Sequence, residues 1–239
     1  FKSEYLLGPG DTLFIDFFGI ESFSKSYKIN SNGDLFLPEV DFVPAKNKTI
    51  AELKQILLDK YDQIIIDPII NLYVEKHRPV QFFISGEINK PGLYSLKYSE
   101  KNGFTPKLFD ALKLGMGMSK YADLSEITII RKNSLTQGGG KIKTNINLLS
   151  LLEGGDQEQN IVLHDGDHIN IKKNSKTQLD QIIKINRFNI SPDSINIFIN
   201  GNVGSKGLIK LPQGITLVES IYAAGYENMT GKIEFIRLT

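Results

Sequence analysis

Apolar and polar residues alternate in short runs along most of this chain, and Gly, Pro, Asn and Asp repeatedly cut the runs. Near the start, "GPGDTLFIDFFG" sets a dense turn signal, Gly8-Pro9-Gly10-Asp11, ahead of Leu13, Ile15 and Phe17 alternating with Phe14, Asp16 and Phe18. With both sets partly apolar, a well-buried strand is predicted. "YKINSNGDLFLPEV" then joins two short apolar segments through Asn32-Gly33, whose tolerance of positive φ predicts a β-hairpin between them. The period turns helical in "TIAELKQILLDKYDQII". Thr49 and Glu52 have capping-box spacing, and Ile50, Leu53, Ile56, Leu57, Tyr61 and Ile64 fall on one face. Asp67-Pro68 is expected to break that helix before an alternating strand, "IINLYVEK".

From Val80 the pattern "VQFFISGEINKPGLYSL" predicts a strand, a polar turn and a returning strand. "TPKLFDALKLGMG" follows, with Thr105 and Pro106 suited to a helix start and Gly115 and Gly117 to its end. The strand "EITIIRK", a flexible "TQGGGK", a short helix around "NINLLSLLEGG" and the strand "IVLHDGDHINIKK" complete the unit. Polar residues then dominate up to Asp193, with one amphipathic patch, "LDQIIKI", as expected of a linker.

The unit then starts again. "INIFINGNVGSKGLIKL" aligns with the earlier strand and turn without a gap, placing Gly201 on Gly86 and Gly207 on Gly92. "TLVESIYAAGY" repeats the helix with a second capping box, Thr216 and Glu219, and Gly225 at its end. "KIEFIRL" repeats "EITIIRK", with Arg237 on Arg131. A repeat that keeps strand, turn, helix and strand in order marks a duplicated module. The second copy is expected to be incomplete. The boundaries predicted are residues 1–79, 80–173, a linker at 174–193, and 194–239.

Composition changes this picture little. At 239 residues, two or three modules are favoured over one, and the apolar fraction of 41% suffices for packed cores. A net charge of +1, with signs mixed, argues against a nucleic-acid groove. The absence of Cys removes disulfides, thiolate zinc sites and thiol nucleophiles together. The chain opens on Phe1, with no signal peptide and no apolar run of membrane-spanning length. A trimmed or processed piece is therefore expected, with any export signal, lipid anchor or membrane segment outside it.

Candidate chemistry is sparse. "HDGDH" offers His164 and His168 with Asp165 and Asp167, residue types that bind zinc and similar ions. Asp165-Gly166 is a turn dipeptide, however, and a strand begins at Ile169, so the histidines would not share a helical face. The same Gly-Asp-x-apolar pattern occurs without His at Gly10-Asp11. His164 and His168 are thus weak metal candidates, and no metal is expected. His77 reads as solvent-facing or locally hydrogen-bonded. "GDQEQN" and "GPGD" hold carboxylates but single out no acid pair of the kind that cleaves glycosides. No nucleophile elbow, P-loop or dinucleotide fingerprint is present, and "GMGMS" ends a helix rather than starting one. No catalytic residue and no cofactor are expected. Exposed Tyr rings could stack on sugars, although most aromatics read as core.

The first module resembles the polysaccharide biosynthesis/export domain of outer-membrane polysaccharide exporters of the Wza type. The matching stretches are "YLLGPGDTLFI", "INSNGDLFLPEV", "TIAELKQILLDKY" and Asp67-Pro68 leading into "IINLYV". The repeats resemble SLBB (soluble-ligand-binding β-grasp) domains through "ISGEINKPGLYSL", with Pro91-Gly92, and "INGNVGSKGLIKL", where Lys206 replaces the Pro. Asp41 stands where the family commonly has Gly, and Asn47 lies near a second such position. The resemblance implies an α+β fold: a small mixed α/β export domain, then two β-grasp-like SLBB repeats, the second truncated. It also implies a periplasmic, outer-membrane ring that passes capsular or exopolysaccharide without catalysis, coupled to an inner-membrane co-polymerase. The alternative expectation is an envelope protein that binds carbohydrate through its SLBB repeats without forming a conduit. A carbohydrate-cleaving enzyme, the third reading, would require two facing acids.

Overall fold

The computed structural model describes residues 4–99, 103–175 and 193–226. The Gly8–Asp11 turn feeds β1 (Thr12–Phe17), which lies between β2 (Lys25–Lys28) and β5 (Ile70–Lys76), antiparallel to both. Leu13, Ile15 and Phe17 are buried as the alternation predicts. The opposite face is only half-covered, and there Phe14 stacks on Tyr73 with ring centroids 5.6 Å apart.

The hairpin predicted across Asn32-Gly33 is not what forms. The turn itself is present: Asn30 Oδ1 accepts from the backbone N–H of Asn32, Gly33 and Asp34. Its flanking strands part, however. β2 joins β1, whereas β3 (Asp34–Leu37) pairs with β4 (Asp41–Pro44) in a separate two-stranded ribbon. The apolar pattern decides this, because Leu35, Leu37 and Val43 must reach the same core as Leu13 and Tyr27. Asp41 and Asn47 both hold positive φ, 54° and 63°, a backbone region where Gly is the easier residue.

α1 (Ile50–Tyr61) carries the predicted capping box in full: Glu52 N–H donates to Thr49 Oγ1 at 3.1 Å, and Thr49 N–H to Glu52 Oε2 at 2.7 Å. Leu53, Leu57 and Tyr61 are buried against the sheet. The helix ends at Tyr61, earlier than Asp67-Pro68 suggests, so Ile64 lies past its end and is exposed. Asp67 takes a φ of 50°, turning the chain back into β5.

A second core begins at Val80. β6 (Val80–Gly86) and β7 (Gly92–Leu96) form the predicted antiparallel pair around the Gly86–Gly92 turn. The sheet is completed by β8 (Ala122–Lys132), β9 (Lys141–Ile146) and β10 (Asp167–Lys173), in the order β7-β6-β10-β8-β9 with β10 parallel to β6. α2 (Leu108–Leu114) starts later than Thr105-Pro106 implied, with Lys107 at its cap and Asp110 accepting from the Lys107 N–H. β9 is absent from the sequence reading. The Gly138–Gly140 turn folds it back on β8, so α3 is confined to Leu148–Gly154. Ile161 to Leu163 are not strand, and β10 starts only at Asp167. Both helices place residues in the core lined by Phe82, Ile84, Ile129 and Ile169.

In the second repeat, β11 (Ser194–Ile199) and β12 (Gly207–Pro212) reproduce the β6–β7 pairing, and α4 (Leu217–Ala223) carries the Thr216–Glu219 box. The "LDQIIKI" patch and "KIEFIRL", including Arg237, lie outside the described residues. The architecture is mixed α+β, with several sheets and short helices.

Candidate functional site: the charged cleft between the first two sheets

Two turns of the same geometry frame this cleft. At Gly8–Asp11, the Asp11 N–H donates to the Gly8 carbonyl at 3.1 Å, while the Gly8 N–H donates to Asp11 Oδ2 at 2.9 Å. At His164–Asp167 the same two bonds recur at 3.1 and 2.9 Å. Gly10 and Gly166 each occupy the third turn position with positive φ, 100° and 85°. Each turn buries an Asp at the mouth of a strand, and each Asp takes an arginine.

Arg78 spans both modules. Its Nη1 donates to Asp11 Oδ2 at 2.5 Å, to Tyr5 Oη at 3.0 Å and to the Leu6 carbonyl at 3.1 Å, and its Nε and Nη2 reach Asp165 Oδ2. The Arg78 backbone N–H adds a 2.7 Å bond to Asp11 Oδ1. Gly8 has a packing role here, because a Cβ on it would lie 2.8 Å from the guanidinium carbon. Burial pulls the Arg78 pKa down, but Asp11, Tyr5 and Asp165 outweigh it and the net direction is up. Arg131 forms a two-pronged pair with Asp167 at 2.7 and 2.6 Å and donates to the Val162 carbonyl.

Aromatic rings fill the space around Arg78. His77 is held between Tyr5 (centroids 5.0 Å, edge-on) and Tyr98 (4.5 Å, stacked) and is half-buried, so of the two settings expected for it, solvent-facing or locally hydrogen-bonded, the first does not form. Tyr5 also meets His164 edge-on at 6.1 Å. Burial, then its Asp11 partner, raises the Tyr5 phenol pKa well above the ordinary value. Burial first, then Arg131 and Arg78, lowers the His164 pKa to about 3, so this imidazole is neutral across the physiological range.

The resulting cleft encloses ≈ 680 Å³, with Arg78, Arg131, Lys132 and Lys141 around it together with His164 and His168. The two histidines have different neighbours. His164 belongs to the Arg78–Tyr5 network, whereas His168 lies beside Phe83 and 2.8 Å from Ser85 Oγ. The carboxylates that would complete a metal set, Asp165 and Asp167, are engaged by arginines. Ser85 Oγ also lies 2.9 Å from Asn170 Oδ1, so the hydroxyl is shared between His168 and Asn170 across β6 and β10.

Of the glycines and turns singled out in the sequence, Gly8, Pro9, Gly10 and Asp11 border this network. Asn32-Gly33, Asp67-Pro68, Gly86, Pro91-Gly92, Gly201 and Gly207 lie in turns and strand ends elsewhere. Gly86 sits where a Cβ would come 2.0 Å from the Ile171 carbonyl oxygen, so it permits the β6–β10 approach. Tyr5, Arg78 and Arg131 had no functional signal of their own, and Asp165 was read only as part of the weak metal set. The available clue was the repeated Gly-Asp ahead of an alternating strand, since a buried Asp requires a cation.

Comparison with known proteins places these modules. Residues 2–75 match the polysaccharide biosynthesis/export protein family, residues 80–171 match an SLBB domain, and residues 196–238 match a further SLBB domain. The chain therefore carries a polysaccharide biosynthesis/export domain followed by SLBB domains, the arrangement of the Wza-type exporters that it resembles. It is 23% identical over 157 residues to the polysialic acid transport protein KpsD of Escherichia coli, covering 65% of this chain and 26% of that protein. It is 23% identical over 171 residues to the EPS I polysaccharide export outer membrane protein EpsA of Ralstonia nicotianae, covering 71% of this chain and 42% of that one. The chain therefore spans less than half the length of either relative. The family and these relatives are transport and export proteins. Among the described residues, no helix is long and apolar enough to cross a membrane.

Proposed function

We propose that this chain is the periplasmic part of an outer-membrane translocon for capsular or exopolysaccharide, assembling in its full natural length as a ring-shaped conduit without catalysis. Residues 1–79 serve as its export domain, and residues 80–173 and 194–239 as its SLBB modules, joined by a linker at 174–193. The observation that carries this reading is the order of an export domain followed by two SLBB domains. The arginine-locked cleft is consistent with it, because rigid coupling between modules suits a subunit held in a fixed orientation around an axis. A conduit for a polar polymer needs many weak contacts rather than one tight site. A ring is a closed heterologous assembly, in which one patch of a subunit meets a different patch on the next. An inner-membrane co-polymerase and the polysaccharide itself are its partners in this reading.

The test is single-particle imaging and mass measurement of the full natural chain extracted from membranes, paired with surface polysaccharide in a deletion strain. A closed ring and lost surface polymer are expected. A monomer at all concentrations, or normal export without the protein, would overturn the proposal. A second reading, a carbohydrate-binding envelope protein without a conduit, has one observation in its favour. Phe83 and Leu93 on the first repeat, and Phe198 and Leu208 on the second, are exposed apolar pairs at matching positions. Calorimetric binding of oligosaccharide by a chain that stays monomeric would support that reading.

A further inference from the structure

Two exposed surfaces of this chain are apolar at the centre and opposite in charge at the rim. The first is the outer face of the β3–β4 ribbon. Phe36 and Phe42 oppose each other directly across the ladder, with ring centroids 5.4 Å apart, and are 62% and 61% exposed. Leu35, Leu37 and Val43 are fully buried on the other face, so nothing in the module's own core accounts for the two Phe rings. The rim is acidic, with Asp34, Glu39 and Asp41. None of the three makes an ion pair among the described residues. Glu39 and Asp41 hold positive φ, 62° and 54°, so this turn keeps two carboxylates where glycine would be conformationally easier.

The second surface is the outer face of the five-stranded sheet. Register places Leu93, Phe83, His168, Ile130 and Lys143 in one row across all five strands. Leu93 is 71% and Phe83 44% exposed. The rim on the β8–β9 side is basic, because Lys132 and Lys141 face each other directly in the ladder and Lys143 follows on β9. Like charges directly opposed in a ladder are unfavourable. These three lysines make no ion pair among the described residues.

We propose that the occupant of each surface is a second copy of this chain. The acidic Phe36–Phe42 ribbon of one subunit docks on the basic Leu93–Phe83–Ile130 row of the next. The argument is complementarity: each patch offers apolar rings or branches at its centre and the opposite charge at its edge, as specific interfaces do. The two patches differ, so the contact is heterologous and repeats from subunit to subunit, which is what a closed ring demands. The inference rests on the ring reading and names the faces that make it.

These 239 residues contain no Cys, so cross-linking is a direct test once any free Cys elsewhere in the full chain is replaced. In the full natural chain in membranes, the double variant Phe42→Cys/Ile130→Cys, which puts one cysteine beside Asp41 and the other two residues from Lys132 on the same face, should oxidise to a ladder of covalent oligomers, and neither single variant should. Lys132→Glu/Lys141→Glu should lower the assembled fraction by roughly ten-fold, as should Glu39→Lys/Asp41→Lys. Combining all four changes in one chain should restore assembly, since every interface is then reversed on both sides. Rings that form normally in both charge-reversed variants, with no ladder from the double cysteine, would overturn these faces and leave the ring reading intact. A dimer from Phe42→Cys alone would show a ribbon paired with itself and would overturn the heterologous contact. Wild-type protein that never assembles would overturn both proposals.

Discussion

Replacing Arg78 by Met tests whether the cleft network couples the first two modules. The substitution keeps the aliphatic stem and removes the guanidinium from three acceptors and the Asp165 carboxylate. Asp11 has no exposed side-chain surface, so its charge loses a buried partner, a change that typically costs about 3–5 kcal/mol. Three donors remain to that carboxylate, from Gly8 N–H, Tyr5 Oη–H and the backbone N–H of residue 78, which moves the expectation towards the lower figure. The Asp165 arm is partly exposed and adds at most about 1 kcal/mol. The sum is roughly 3–4 kcal/mol. Urea unfolding followed by far-UV circular dichroism should show this as a lower midpoint. It should also separate the transitions of the two cores, which the wild type unfolds together if Arg78 couples them. Arg78→Lys should recover only part, because an ammonium cannot reach both Asp11 and Asp165 with a fixed fork. Asp11→Asn added to Arg78→Met should recover some stability by removing the stranded charge. An Arg78→Met variant within about 1 kcal/mol of wild type, with one unsplit transition, would refute the reasoning.

Further expectations follow from other sites. Leu53→Ala should cost about 2–5 kcal/mol and Thr49→Ala about 1 kcal/mol in the same assay, since Leu53 is fully buried and the cap is one of several satisfied groups. Gly86→Ala should cost several-fold more than Gly154→Ala, because only the former drives a methyl into the Ile171 carbonyl; equal melting temperatures would contradict the close approach. With His164 held near 3 when folded and near 6.5 when unfolded, the unfolded chain binds the extra proton between those values. Stability should therefore fall as pH drops from about 6.5 towards 3, with a slope of at most about 1.4 kcal/mol per pH unit from this group. A His164→Gln variant should show a flatter acid limb, and an unchanged limb would count against the burial argument.

Much of the local structure was legible because it depends on neighbours in the chain. The capping boxes at Thr49–Glu52 and Thr216–Glu219 involve groups three residues apart, and both form as the sequence predicts. The duplicated strand and turn, with Gly86 and Gly201 in register, follow from repeated residue order. What needed the tertiary structure was the choice between partners that are locally equivalent. Asn32-Gly33 makes a turn in any hairpin, but only the shared core decides that β2 leaves to join β1 while β3 turns to β4. β9 escaped notice because alternating Lys and Ile in "KIKTNI" is half-buried only once β8 is beside it.

The same division governs the site. The sequence by itself determined the order of modules, the two Gly-Asp turns and the lack of cysteine chemistry, all of which are properties of residues close together in the chain. Only the tertiary structure decided that Arg78 meets Asp11 across 67 positions and Asp165 across 87, and that Arg131 meets Asp167 across 36. A buried carboxylate demands a cation, but any of the 28 Lys and Arg residues would satisfy that demand on paper. Packing of the two sheets brings one particular guanidinium within reach, and no local pattern records which one.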